Sequence, residues 1–106
     1  MFEVEKNRYL TKGITREIPI GIQMAIWAII REQSGKHKMD YLQVFRLRAG
    51  EGGNLHIDYS QEMPKRKLTY TFPGAAQESP GRQMDGQKIY VIDDTAQIVM
   101  LLADEY

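Results

Sequence analysis

His56, Asp58 and Glu62 occupy alternate positions of the stretch Asn54 to Met63, in which polar and apolar residues alternate, so a β-strand there would bring all three to one face. An imidazole and two carboxylates so arranged begin a metal site with open positions for substrate, and metal-dependent hydrolysis is the chemistry they would support. Such a site needs a further strong ligand. The other histidine, His37, follows a helix and lies outside this stretch. The competing reading is a solvated strand face on which Arg46 neutralises Asp58 and sits beside His56. A second acidic group, Asp93, Asp94, Asp104 and Glu105, would fall at the ends of a C-terminal hairpin. Carboxylates gathered there could bind a divalent cation or supply a carboxyl of raised pKa, although turns and chain ends also carry acids simply to stay solvated. Nucleophilic catalysis finds less support: there is no cysteine, none of Ser34, Ser60 and Ser79 sits in a Gly-x-Ser-x-Gly turn, and no glycine-rich phosphate loop opens a helix. An enzyme is therefore the less expected outcome, and no cofactor is implied.

Charge bounds the partners. The 106 residues carry 14 basic and 14 acidic side chains, a formal net charge of zero. Nucleic-acid binders usually carry excess cation, because neutralising phosphates releases counterions, so a broad phosphate-binding surface is disfavoured. The distribution is uneven, however: nine basic and six acidic residues precede position 54, and five basic and eight acidic residues follow it. Opposite faces of opposite sign would suit a protein partner or self-association. For nucleic acid the local candidate is Lys65, Arg66 and Lys67, read as part of a hairpin tip opened by Pro64 and projecting into solvent, with Arg46 and Arg48 near enough to help. The plain alternative is a charged tip that limits edge-to-edge aggregation. Tyr59 and Tyr70 could stack bases, but their strand positions assign them to the core. The acidic start of the chain lacks the form of a signal peptide, and the longest apolar stretch, Ile18 to Ile30, is broken by Pro19, Gly21 and Gln23 and falls short of the ~20 residues that cross a bilayer. A cytoplasmic protein without a membrane span is expected.

The elements that would position these residues follow from periodicity. Pro19 to Ser34 reads as a helix, with Pro19 in its first turn and Gly35 as a left-handed closing residue. Ile22, Ile26, Ile29, Ile30 and Gln33 form one stripe, and Ile20, Met24, Trp27 and Arg31 a second, leaving Ala25, Ala28 and Glu32 for water. A helix apolar on two sides needs two things to pack against, and the second stripe has the composition of an interface anchor, unless Trp27 simply fills the core. Strands are expected over Arg8 to Ile14, Tyr41 to Ala49, Asn54 to Met63, Lys67 to Phe72 and Lys88 to Asp93. Ile98 to Ala103 admits strand or helix, and its β-branched residues favour a terminal strand. Gly50 to Gly53 should close a hairpin. Keeping Phe45 and Leu47 on the side of Leu55 and Ile57 demands an odd loop, most simply three residues, which would set Arg46 opposite His56 and Val44 opposite Asp58. Pro73 to Gly86 reads as a surface loop.

Several blocks together carry a family resemblance: Arg8-Tyr9-Leu10-Thr11-Lys12-Gly13-Ile14, Asp40-Tyr41-Leu42-Gln43-Val44-Phe45, Ser60-Gln61-Glu62-Met63-Pro64, Lys88-Ile89-Tyr90-Val91-Ile92-Asp93-Asp94, and Met100 to Tyr106. Taken across nearly the whole chain they resemble the small proteins of staphylococci, related Gram-positive bacteria and their phages known as domain of unknown function 960. The resemblance implies a compact α+β domain, a cytoplasmic setting and a phage or mobile-element context. It carries over no activity and no catalytic residue.

The expectation is one α+β domain over residues 1–106, with one long helix packed on a mostly antiparallel, curved sheet of five to six strands. The leading functional expectation is a non-enzymatic protein-interaction module, with a homodimer as one form, acting through Ile20, Met24, Trp27 and Arg31. The alternative is a nucleic-acid accessory protein using Arg46, Arg48, Lys65, Arg66 and Lys67. A weaker one is a metal-dependent hydrolase at His56, Asp58 and Glu62.

Overall fold

Isoleucines at helical spacing organise the fold. In the computed structural model, which describes residues 7–74 and 85–106, helix α2 (Ile20–Ser34) buries Ile22, Ile26, Ile29, Ile30 and Gln33 on one side, the stripe expected from the sequence. Each such isoleucine withdrawn from water contributes roughly 1.5–3 kcal/mol. Pro19 caps the helix start, and its carbonyl accepts the N–H of Ile22 and Gln23. At the other end Gly35 is right-handed (φ −78°), not left-handed as expected. The chain continues in helical sense for one more turn, with Lys36 and His37 N–H donating to the Gln33 carbonyl.

Against α2 lies a six-stranded sheet in the order β1-β6-β5-β2-β3-β4, formed by β1 (Arg8–Leu10), β2 (Leu42–Ala49), β3 (Leu55–Gln61), β4 (Arg66–Phe72), β5 (Lys88–Asp93) and β6 (Ile98–Leu102). Only the β1–β6 pair is parallel. The core combines the α2 stripe with Phe45, Leu47, Leu55, Ile57, Tyr59, Ile89, Val91, Ile98, Met100 and Leu102, all from one face of the sheet. The C-terminal segment is thus a strand, as its β-branched residues favour. The surface-loop reading of 75–84 and the reading of the first six residues lie outside the described residues.

Three expectations are corrected. First, the β2–β3 loop has five residues, Gly50 to Asn54, because Ala49 pairs with Leu55. A short 3₁₀ turn with Gly52 and Gly53 at φ 66° and 77° fills it, a conformation only glycine adopts freely. The loop stays odd, so the faces are as expected, but the register moves: Arg46 opposes Asp58, Val44 opposes Ser60, and Arg48 opposes His56. Second, the β3–β4 tip is Glu62 to Lys65, since Gln61 pairs with Arg66. Met63, expected on the core side, is exposed there. Third, Arg8 to Ile14 is not one strand: β1 ends at Leu10 and a short helix α1 (Lys12–Glu17) follows.

Helix α1 exists because both of its starting groups are satisfied. The Thr11 hydroxyl oxygen accepts the Ile14 N–H, as at many helix starts, and donates to Glu105 (2.6 Å). The Glu105 carboxylate also accepts the Gly13 N–H (3.0 Å) and the Leu102 N–H (2.9 Å). A carboxylate 92 positions away thus satisfies a first-turn N–H, whereas the N–H of Thr11 itself, which a local capping box would give to a glutamate three residues on, goes to the Met100 carbonyl. Gly13 permits this approach: a Cβ there would stand 2.4 Å from a Glu105 oxygen. Partial desolvation pushes the Glu105 pKa up, but the Thr11 hydroxyl, the two backbone N–H groups and the Arg16 charge outweigh it, so the net shift is downward.

Gly13→Ala, which in an ordinary helix would stabilise by up to about 1 kcal/mol, should here destabilise by about 1–3 kcal/mol by displacing a charged hydrogen-bond acceptor. Because the folded pKa of Glu105 lies below the unfolded value, its stabilisation is complete above about pH 4.3 and is lost as pH falls through the folded pKa. Urea unfolding of Glu105→Gln should therefore show a flatter acid limb than the parent. Superimposable profiles would remove Glu105 from the account.

Candidate functional site

Strand alternation gives the sheet a second face, and no helix among the described residues packs on it. The register sets its side chains in rows. One row runs Thr69, Asp58, Arg46, Lys88 from β4 to β5, and the next runs Lys67, Ser60, Val44, Tyr90, with Leu101 of β6 beyond. The last residues of the chain fold over the far end, where the Tyr106 and Tyr90 rings meet nearly at right angles, with centroids 5.5 Å apart and planes at 83°. Two adjoining depressions of about 510 Å³ and 750 Å³ share Val44, Ser60, Lys67 and Lys88, so they form one groove across these rows. Arg46 and Asp58 border its first part, and Asp40, Tyr41, Lys65, Tyr90 and Tyr106 its second. Tyr41 is 57% exposed and Tyr106 72%.

Behind the groove, a buried polar lock fixes the tip that carries Lys65. Tyr59 donates its hydroxyl hydrogen to the side-chain oxygen of Gln43. Gln43 donates to Gln61 (2.9 Å) and to the Asp40 carbonyl (2.8 Å). Gln61 in turn donates to the carbonyls of Lys38 (3.0 Å) and Pro64 (2.7 Å). Asp40 completes the tie by accepting the N–H groups of Tyr41 (2.8 Å) and Met63 (3.1 Å). Burial pushes the Tyr59 hydroxyl up to about 12, so it remains a donor at all ordinary pH. The sequence reading placed Tyr59 in the core but overlooked Gln43 and Gln61, whose amides occupy core-facing strand positions.

The basic residues singled out from the sequence separate. Arg46, Arg48 and Lys67 stand on the open face and Lys65 at its rim. Arg66 instead shares the helix side with Gln61; it is half-buried, and its Nε has no hydrogen-bond partner. Lys88 and Tyr90 were not anticipated as members of the same face. Their alternation with Ile89 and Val91 was legible, but the pairing of β5 with β2 was not.

The acidic and metal-type residues are placed for other contacts. Asp58 is held by Arg48 (Nε to Oδ2 2.5 Å, Nη2 to Oδ1 3.0 Å) and by the Thr69 hydroxyl (2.8 Å). The Arg48 hydrogen bond is the main reason its carboxyl sits below the usual range, against a smaller opposing push from burial. His56 Nδ1 hydrogen-bonds the Thr71 hydroxyl at 2.9 Å, and a Cβ on Gly50 would stand 2.5 Å from Nε2. Glu62 lies beyond the end of β3 in the exposed tip. Among the described residues no three His, Cys, Asp or Glu side chains are grouped to hold a metal ion. Asp93 and Asp94 receive the N–H groups of Thr95 and Gln97 within the β5–β6 turn, whereas Asp104 and Glu105 lie at the other end of that hairpin. The four acids therefore form two groups.

Ile20, Met24, Trp27 and Arg31 lie on the outer flank of α2. Ile20 and Met24 are 70% and 65% exposed, and Trp27 is half-buried with the Arg8 guanidinium 4.6 Å above its ring. A shallow depression of about 250 Å³ is lined by Arg8, Met24, Trp27, Ala28 and Arg31.

The family model of a staphylococcal protein of unknown function, domain of unknown function 960, matches residues 7–105. The chain belongs to this family. A crystal structure of a protein of unknown function from Enterococcus faecalis has the same fold, with a TM-score of 0.80 and 24% identity over 100% of this chain and 98% of that one. No curated protein matches the chain. The family match takes in both partners of the Gly13–Glu105 contact and the whole groove except Tyr106, which lies one position beyond it. No helix of the described residues is long and apolar enough to cross a membrane.

The Arg48–Asp58 pair yields a direct test. In Arg48→Ala the Asp58 carboxyl should titrate at higher pH than in the parent, in a carboxyl-detected NMR titration. An unchanged midpoint would show that Arg48 does not hold it.

Proposed function

We propose that this protein is a non-enzymatic binding module that holds a polyanionic ligand against the open face of its sheet. One observation carries the reading. Arg46, Lys65, Lys67 and Lys88 border a single groove and form no ion pair among the described residues, while the neighbouring acids Asp58 and Asp40 are engaged by Arg48, Thr69 and the backbone of Tyr41 and Met63. Among the described residues that line the groove, Glu62 is the side-chain carboxylate left to oppose them at the rim. Clustered cations on a concave surface raise the local concentration of an anion and bind it in a salt-dependent way.

Heparin and inorganic polyphosphate are suitable probes. Binding measured by calorimetry at low ionic strength should weaken steeply as salt is added. Lys67→Glu with Lys88→Glu, both at solvent-accessible positions, should reduce affinity roughly tenfold or more. If neither probe nor any oligonucleotide binds at low salt, the reading fails.

A second reading rests on the 70% and 65% exposure of Ile20 and Met24 beside Trp27. Large apolar side chains gathered on one helix flank suit contact with a protein, a second copy of the chain included. Sedimentation across concentration should then reveal a dimer that Ile20→Ser with Met24→Ser abolishes. A monomer at every concentration removes self-association.

A further inference from the structure

We infer that the polyanion is a single-stranded nucleic acid, its phosphates held by Arg46, Lys67 and Lys88 and its bases stacked on Tyr41 and Tyr106. This rests on the polyanion reading of the same groove and goes further by assigning the ligand's chemistry. The two ends of the groove differ in kind. Arg46 borders one, Lys67 and Lys88 lie along both, and the other adds Tyr41, Tyr90 and Tyr106 beside Lys65 and Glu62. A ligand that satisfies both must alternate anionic groups with flat, weakly polar rings. Polyphosphate and sulfated sugars supply only the first, and a duplex hides its base faces in its own stack. An unpaired strand presents both, because every base has a π face and every linkage a phosphate.

The tyrosines are available for this. Tyr41 and Tyr106 expose more than half of their surface and belong to no part of the core cluster. Tyr106 packs on Tyr90 with nearly perpendicular planes, which orients its ring while 72% of the residue stays exposed. Lys65 stands at this aromatic end, so a phosphate following a stacked base also meets a cation. Scale fits as well. From Lys67 on β4 to Tyr90 on β5 the row crosses three strand-to-strand intervals, about 14 Å at the usual sheet spacing. That accommodates about two or three splayed nucleotides, the number that an open sheet with surface aromatics takes in known RNA-binding modules. Of the acids that line the groove, Asp58 is paired with Arg48 and Asp40 accepts the N–H groups of Tyr41 and Met63, which leaves the Glu62 carboxylate at the rim.

The test is fluorescence anisotropy with labelled single-stranded DNA and RNA of about twelve nucleotides, a duplex of the same length, and polyphosphate as competitor. The single strands should bind more tightly than the duplex and resist competition by polyphosphate of equal charge; the stronger of the DNA and RNA arms identifies the source. Tyr41→Ala with Tyr106→Ala should weaken single-strand binding about tenfold or more and leave polyphosphate binding unchanged, while Tyr41→Phe with Tyr106→Phe should retain affinity. Both tyrosines are exposed, and circular dichroism with thermal unfolding checks that the variants fold. Duplex or polyphosphate binding as tight as single-strand binding, or alanine variants with undiminished single-strand affinity, would overturn the inference and leave the polyanion reading standing. No binding to any of the anions would overturn both.

Discussion

Among the described residues a single helical layer covers one face of a six-stranded sheet, and most of their organisation depends on that one-sided burial. The strands sort their residues by parity, with most of the large apolar ones toward α2, because a slip of one position would exchange the two sets. β2 and β3 satisfy this closely: Phe45 and Leu47 face Tyr59 and Ile57 in the core, while Arg46 and Arg48 face Asp58 and His56 outside. The same sorting makes an outer surface that is neither solely polar nor solely apolar. Val44, Tyr90 and Ile92 are half-buried there, beside Lys88 and exposed Arg46 and Lys67. The groove thus follows from a wide sheet that, among the described residues, carries a helical layer on one side.

One-sided burial also explains the polar groups inside. The strand-to-strand connections at the end of the sheet that carries the β3–β4 tip must be tied without a second layer to press on them. The Gln43, Tyr59 and Gln61 lock does this by satisfying the carbonyls of Lys38, Asp40 and Pro64 from within. Buried amides left unpaired would each cost about 1–3 kcal/mol, so the lock stabilises only as a complete set. The Glu105 carboxylate plays the same part at the other side of the sheet, binding the last turn of the chain to the start of α1.

Local pattern made much of this legible. The isoleucine stripe of α2, the alternation in β2, β3 and β5 and the β-branched start of β6 each follow from a period that one segment displays by itself. The family resemblance agrees with the match over residues 7–105. What escaped depends on contacts between segments far apart in the chain, or on a loop length that parity hides. Helix α1 is short and gains a starting cap from Glu105, so Arg8 to Ile14 reads locally as continuous strand. The five-residue loop after β2 preserves parity and shifts the register by a pair, a difference that alternation cannot detect because both loops bury the same residues. Lys88 and Tyr90 join the open face only through the pairing of β5 with β2. The sequence accordingly supplied the cations at positions 46, 65 and 67 and missed the tyrosines that complete the groove.

Zero net charge and a cationic groove are compatible on the same grounds. Net charge governs what a molecule feels at a distance, but at physiological salt the screening length is only about 8 Å, so a ligand in the groove responds to the side chains lining it. The compensating acids are spent elsewhere: Asp93 and Asp94 accept N–H groups in their own turn, Glu105 caps a helix, and Asp58 is held by Arg48. Carboxylates bound in this way shape the fold and contribute little repulsion at the groove. A neutral composition then follows from dividing the charges by task, with acids closing backbone turns and cations left standing on the face that no helix among the described residues covers.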